Sequence, residues 1–107
     1  MHPIRLILAL AVVAIATETA QAQEAGSVQK GRQLAREVCA ECHAVGRQRL
    51  RSPNSRSPSF AAIAATPGMT GTALNVVLHT SHRSMPNIIL DGQQTADITA
   101  YILSLKR

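Results

Sequence analysis

Aromatic side chains are almost absent from this sequence, which has no tryptophan, one phenylalanine and one tyrosine. Such residues normally supply much of the apolar bulk in the core of a small domain. The 107 residues are 46% hydrophobic, which predicts one domain with one small core and excludes a disordered tail. Domains this small commonly need a disulfide, a metal or a cofactor for stability. The lack of aromatics therefore favours a bound group that fills part of the core.

Segments that alternate apolar and polar residues are missing too, and no internal repeat is visible, so nothing predicts a sheet. Four segments carry helical signals instead, and the predicted class is all-α. The predicted elements are a helix from Ser27 to Val38 that runs on into residues 39–43, a short helix from Phe60 to Ala65, a helix capped by Thr70 or Thr72, and a last helix that begins at Asp91 with Gln94 in a capping box.

Three of these helices have apolar residues near helical spacing, which predicts a buried face on each. The segments between them, residues 44–58 and 81–91, hold proline, serine and asparagine and are predicted to be irregular. The apolar positions are Val28, Leu34, Ala35 and Val38 in the first helix, Ala73, Leu74, Val77 and Leu78 in the third, and Ile98, Tyr101, Ile102 and Leu105 in the last.

A long hydrophobic run is also lacking. The longest, Leu6 to Ala16, has 11 residues, whereas a membrane-spanning helix needs about 20. Arg5 precedes this run and the small residues of Ala20-Gln21-Ala22 follow it, which is typical of a cleaved secretory signal peptide. We therefore expect a signal peptide at residues 1–22, a mature domain at 23–107 without a transmembrane segment, and a periplasmic location. An uncleaved N-terminal anchor is the alternative.

Acidic residues are few, 6 against 11 basic ones, and the formal net charge is +5. Removal of residues 1–22 takes away one charge of each sign, so the charge of the mature domain is the same. This charge favours an acidic protein partner or an anionic surface. Export, and the lack of aromatics among the basic residues, argue against nucleic acid.

Cysteine occurs only twice, at Cys39 and Cys42, within Cys39-Ala40-Glu41-Cys42-His43. The pattern C-x-x-C-H is the attachment motif of c-type haem. Two thiols spaced in this way on a helical turn can each bond to one vinyl group of the porphyrin, and the adjacent imidazole can bind the iron. The sequence therefore predicts one covalently attached haem c, with His43 as an axial ligand.

Three other interpretations of the cysteine pair remain open. The two thiols could form a simple disulfide in an exported protein, or a thioredoxin-like redox motif. The redox motif normally accompanies a βαβ pattern, which the sequence lacks. A structural zinc site would need a fourth ligand, and no second C-x-x-C or H-x-x-x-H segment exists.

The sixth position of a haem iron needs a second ligand, and Met85 is the predicted one because it lies in an irregular segment and Pro86 would stiffen it. A thioether is a soft, neutral ligand that raises the reduction potential. Met69, His79 and His82 are the rival ligands. Met85 could also be an ordinary core residue.

These residues together resemble the class I bacterial cytochromes c, and the likeness extends over essentially the whole mature chain. The resemblance implies a small fold of three to four helices around one haem, in which the N- and C-terminal helices cross at Gly31 and Tyr101. It also implies that the carbonyl of Pro58, rather than that of Pro53, holds the second nitrogen of the axial histidine; both prolines could instead only shape the loop. Ala35 and Ala44 depart from the family pattern, which usually has an aromatic and a glycine at these positions.

The resemblance implies a monomeric one-electron carrier that transforms no substrate and is not an enzyme. Expected partners are a dehydrogenase, a quinol oxidoreductase or a terminal oxidase. The alternatives are a haem enzyme or a gas or redox sensor with a displaceable sixth ligand, and a dedicated subunit of a dehydrogenase complex. Four arginines of the 44–58 loop form either a basic docking rim or a solvated loop, namely Arg47, Arg49, Arg51 and Arg56.

Overall fold

The structure is a computed structural model that describes residues 25–80 and 84–107. Within these ranges it contains helices and no strand, as the sequence predicts. The predicted signal peptide and His82 lie outside the described residues. The elements are α1 (Val28–Leu34), a π-helical segment (Ala35–Cys39) that continues it, α2 (Phe60–Ala65), α3 (Gly71–Leu78) and α4 (Gly92–Ser104).

Side-chain caps fix where three of the helices begin. The hydroxyl of Ser59 accepts from the backbone N–H of Ala62 at the start of α2. Of the two threonines proposed for α3, Thr70 is the cap. Asp91 and Gln94 form the predicted capping box of α4, with each side chain accepting the other residue's backbone N–H. Because each cap pairs an N–H that has no partner inside its helix, the starts of these elements are encoded locally.

The first helix differs from a continuous α-helix. After Leu34 the hydrogen bonds shift by one residue, so that the N–H of Ala40 donates to the carbonyl of Ala35 over 2.9 Å. This widened turn is a π-helix, and such turns are often found at functional sites. It carries the chain into the cysteine motif.

Two glycines allow the N-terminal segment to lie directly on α4. A Cβ atom at Gly31 would lie 1.9 Å from the carbonyl oxygen of Asp97 and 2.8 Å from Cβ of Tyr101. A Cβ at Gly26 would lie 1.9 Å from the carbonyl oxygen of Ala96. The terminal helices therefore cross at Gly31 and Tyr101 as expected, at a backbone separation that no larger residue permits.

A buried carboxylate anchors the same crossing. Asp97 is 5% exposed, and its Oδ1 accepts the backbone N–H of Ser27 over 2.7 Å and Nε2 of Gln93 over 2.9 Å. Ser27 is also the N-cap of α1. One side chain of α4 thus fixes the residue at which α1 begins.

The core lies between α4 and the other helices. All four apolar positions predicted for α4 are buried, whereas only Leu74 is buried in α3 and only Ala35 in the predicted stripe of the first helix. Val38 and Val77 are 37% and 43% exposed because both line a cavity and are not covered by protein. Within residues 25–80 and 84–107, no helix is long and apolar enough to cross a membrane.

The helix crossing generates a stability prediction. Gly31→Ala should lower the free energy of unfolding of the haem-loaded protein by about 3 kcal/mol, since the added methyl group must displace backbone of α4. Gly46→Ala is the matched control because nothing lies within 4 Å of a Cβ there, and it should change the value by less than about 1 kcal/mol. Urea unfolding followed by circular dichroism measures both, and equal effects would contradict this account of the crossing.

Candidate haem site

One cavity of about 440 Å³ opens between the π-helical segment, the 44–58 loop, α2, α3 and the segment that begins at residue 84. Its volume is within the usual range for small-molecule and cofactor sites. Glu41 and Arg56 are the residues with full charges among those lining it. The apolar part of the lining comprises Val38, Phe60, Ala62, Ile63, Met69, Leu74, Val77, Leu78, Ile88 and Ile102.

All five residues singled out in the sequence line this cavity: Cys39, Cys42, His43, Pro58 and Met85. They come from three parts of the chain that the fold brings together. Their individual roles in binding a cofactor stay predictions, but all five line the same cavity and could contact one cofactor there.

The cysteine motif forms a tight turn at the end of the π-helical segment. The carbonyl of Cys39 accepts the N–H of Cys42 over 3.2 Å and that of His43 over 2.9 Å. This folding points all three residues into the cavity lining. The two thiols are free and no disulfide joins them.

The Cys39 thiol is largely enclosed by apolar neighbours, and burial raises its pKa to about 11. It is therefore protonated at neutral pH. A neutral sulfur on the wall of an apolar cavity suits a thioether link, which also carries no charge.

The ring of His43 is held at one nitrogen. Its Nδ1 lies 2.6 Å from the carbonyl oxygen of Pro58. Because a carbonyl can only accept, Nδ1 carries the proton, and Nε2 keeps a lone pair that can bind a metal. Pro53 does not make this contact. The pair matches the arrangement in which a carbonyl orients a histidine ligand and makes it more basic.

Phe60 contacts the same imidazole. The ring centroids of His43 and Phe60 lie 5.5 Å apart at an interplanar angle of 52°, and Tyr101 lies beyond at 6.3 Å from Phe60. The hydroxyl of Tyr101 donates to the carbonyl of Val45. Both aromatic residues of this chain thus support the histidine. The sequence pattern predicts Phe60 only as the start of a helix, although its place two residues after Pro58 is a signal for this contact.

Three backbone contacts fix the loop that follows His43. The N–H of Ala44 donates to Oγ of Ser52 over 3.0 Å, and the N–H of Asn54 to the carbonyl of Cys42 over 3.2 Å. The N–H of Phe60 donates to the carbonyl of Ala44 over 2.9 Å. The sequence does not predict the contacts of Ser52 and Asn54. Residues that favour turns indicate a loop, but they do not show which other part of the loop each one contacts.

The candidate sixth ligands are separated by the fold. Met85 and Met69 both line the cavity. His79 does not line it; its side chain is exposed and its Nδ1 lies 2.8 Å from the carbonyl of Asn75, one turn back on α3. His82 lies outside the described residues.

Two of the four arginines of the 44–58 loop line different cavities. Arg56 lines the cavity, whereas Arg47 lines a separate groove with Lys106. Arg47 donates to the carbonyl of Ser104 over 2.7 Å, at the end of α4. Arg47 and Arg56 thus lie beside different cavities, and the basic docking rim stays a prediction.

The residues present fit a covalently held haem. The cavity offers two thiols, an imidazole whose Nε2 can bind a metal, thioethers and an apolar lining, which is the donor set that c-type haem uses. Within residues 25–80 and 84–107, no group of three or more His, Cys, Asp or Glu side chains could hold a metal ion. The fold and the cavity together define a small helical protein that encloses a covalently bound porphyrin.

Comparison with known proteins agrees with this class. The cytochrome c family model matches residues 28–106, so the chain belongs to the cytochrome c family. It is 34% identical to cytochrome c-552 of Bradyrhizobium diazoefficiens over 103 residues, which cover 96% of this chain and 95% of that protein. No solved structure matches the chain significantly. The protein thus carries one covalently bound haem c and belongs to the haem proteins of electron transport.

The geometry of the cysteine turn predicts how the haem is held. Replacement of both Cys39 and Cys42 by Ala should abolish covalent attachment, since no other cysteine exists in the chain. In intact mass spectra the unaltered protein should show the polypeptide plus one haem, and the double variant the polypeptide alone. Each single variant should keep one thioether. A haem-free mass for the unaltered protein would contradict the assignment.

Proposed function

We propose that the protein is a periplasmic, monomeric one-electron carrier whose haem iron is bound by His43 and Met85. The observation that carries the proposal is that both side chains line one apolar cavity, together with the two cysteines of the attachment motif. The bound haem supplies an iron that alternates between Fe(III) and Fe(II). The protein residues hold it, exclude water from it and set its potential.

His43 is suited to be the permanent ligand. The Pro58 carbonyl fixes which of its nitrogens is free, and the Phe60 ring restricts its rotation. A ligand held in this way does not need to reorient when the charge on the iron changes. A ligand that stays in place lowers the reorganisation energy of electron transfer.

Met85 complements it with a sulfur that carries no charge. A neutral, soft ligand favours Fe(II) over Fe(III) and so raises the reduction potential. If both His43 and Met85 held the iron, they would leave it no free position for a substrate, as expected of a carrier and not of an enzyme. Pro86 restricts the backbone of Met85 to extended conformations, which helps to keep the side chain in place.

Export is part of the proposal. Residues 1–22 have the charged start, short apolar run and small-residue end of a cleaved signal peptide. The covalent link to haem suits an exported carrier, because the cofactor cannot be lost by dilution outside the cytoplasm. The mature domain would then meet its redox partners, a dehydrogenase, a quinol oxidoreductase or a terminal oxidase, in the periplasm.

Paired methionine variants test the axial ligand. Met85→Leu should abolish the far-red absorption band of methionine-bound Fe(III), lower the reduction potential and allow the reduced protein to bind carbon monoxide. Met69→Leu is the matched control, because Met69 lines the same cavity and the change removes the same sulfur. It should keep the band. Loss of the band in Met69→Leu alone would transfer the role to Met69, and carbon monoxide binding by the unaltered protein would favour an enzyme or sensor.

The charges at the cavity predict how fast the reduced protein reacts with small charged oxidants. Glu41 and Arg56 line the cavity with opposite charge, on a protein of formal net charge +5. Oxidation of the reduced protein by ferricyanide, an anion, should slow about twofold in Arg56→Gln and accelerate about twofold in Glu41→Gln at low salt. Arg47→Gln, in the other groove, should have a smaller effect.

Added salt should remove all of these differences, because it screens charges at the surface. A cationic cobalt oxidant should give the opposite order of rates for Arg56→Gln and Glu41→Gln. If the order is the same for both oxidants, electrons do not leave the protein at this cavity.

A further inference from the structure

Ser84, the residue before Met85, has an unusual backbone conformation. Its φ is +65°, and it is the one residue other than glycine with positive φ among residues 25–80 and 84–107. Left-handed backbone is unfavourable for residues with a Cβ atom, and those that adopt it are mostly glycine, asparagine or aspartate. Such strain is concentrated at functional sites, where the surrounding structure enforces it.

The position of this residue gives its conformation a consequence. Rotation of φ from +65° to the common value near −65° would swing the following chain by about 130° around the N–Cα bond. Met85, Pro86 and Ile88 all line the cavity, and a swing of that size at Ser84 would take them out of it.

The neighbours of Ser84 cannot make this turn in its place. Pro86 excludes the helical region for Met85 and has a fixed φ of its own. From residue 85 to Asp91 the chain has no regular secondary structure until α4 begins. The φ of Ser84 therefore contributes to the direction in which the chain enters this segment.

We propose that Ser84 is a positioning residue for the sixth ligand: its left-handed backbone keeps the Met85 sulfur directed into the cavity. This inference rests on the proposed function, since it requires Met85 to bind the iron. Serine is a compromise at this position, because its small side chain tolerates the conformation but does not favour it. The loop therefore holds Met85 less firmly than an asparagine would allow.

The test compares variants that differ in their tolerance of positive φ. Ser84→Thr keeps the hydroxyl but adds branching at Cβ, which disfavours the left-handed region. Ser84→Asn changes the side chain more but favours that region. Ser55→Thr makes the same chemical change at an exposed turn residue of ordinary φ and controls for it.

The measurement is the affinity of the oxidised, haem-loaded protein for added imidazole, which can bind only when the methionine sulfur has left. Ser84→Thr should bind imidazole about threefold to tenfold more tightly than the unaltered protein, and its far-red band should weaken. Ser84→Asn should bind it no more tightly, and Ser55→Thr should be unchanged. Met85→Ala sets the upper limit of the scale.

Three results would overturn the inference in distinguishable ways. If Met85→Ala binds imidazole tightly but Ser84→Thr behaves like the unaltered protein, Met85 is the ligand and Ser84 does not position it. If Ser84→Asn shows as large an increase as Ser84→Thr, the larger side chain causes the effect and the backbone conformation does not. If Met85→Ala changes neither the band nor the affinity, the ligand assignment fails, and the role of Ser84 fails with it.

Discussion

An apolar cavity that protein side chains do not fill is the constraint on which the rest of this structure depends. Val38 and Val77 remain partly exposed on its walls, although their positions within helices would suit a core. Exposed apolar surface of this kind is unfavourable in water. A covalent haem bound in this cavity would cover it, and would act both as the redox centre and as the bulk that the scarce aromatics do not provide.

The two sides of the cavity are built differently. On the His43 side, the carbonyls of Pro58 and Cys42 accept hydrogen bonds and the N–H of Ala44 donates one, and Phe60 adds a ring contact. On the Met85 side, the proposed ligand lies in an irregular segment that follows Ser84, the residue with positive φ. Several contacts therefore fix the position of the His43 ring, whereas the position of the Met85 sulfur depends on a few backbone torsions. We therefore expect any change of the iron ligands to begin at Met85.

Local signals made most of the fold predictable. The capping box at Asp91 and the spacing of the apolar residues of α4 were predicted and are confirmed, because both depend on residues three or four positions apart. The attachment motif likewise depends on adjacent residues. Periodicity placed Val38 and Val77 on apolar helix faces, but it does not show what covers those faces. The different cavities that Arg47 and Arg56 line could not be predicted, because they depend on long-range contacts of the loop. The positive φ of Ser84 could not be predicted either, because serine does not favour that conformation.

The π-helical turn between Ala35 and Cys39 sets the phase of the attachment motif. Successive residues of an α-helix are rotated by about 100° around its axis. A chain one residue shorter in this turn would present Cys39 and Cys42 at a different angle, away from the porphyrin edge. Point substitutions are therefore compatible with this turn, whereas insertions and deletions are not. The number of residues between Gly31 and Cys39 is as much a part of the haem site as the two cysteine sulfurs.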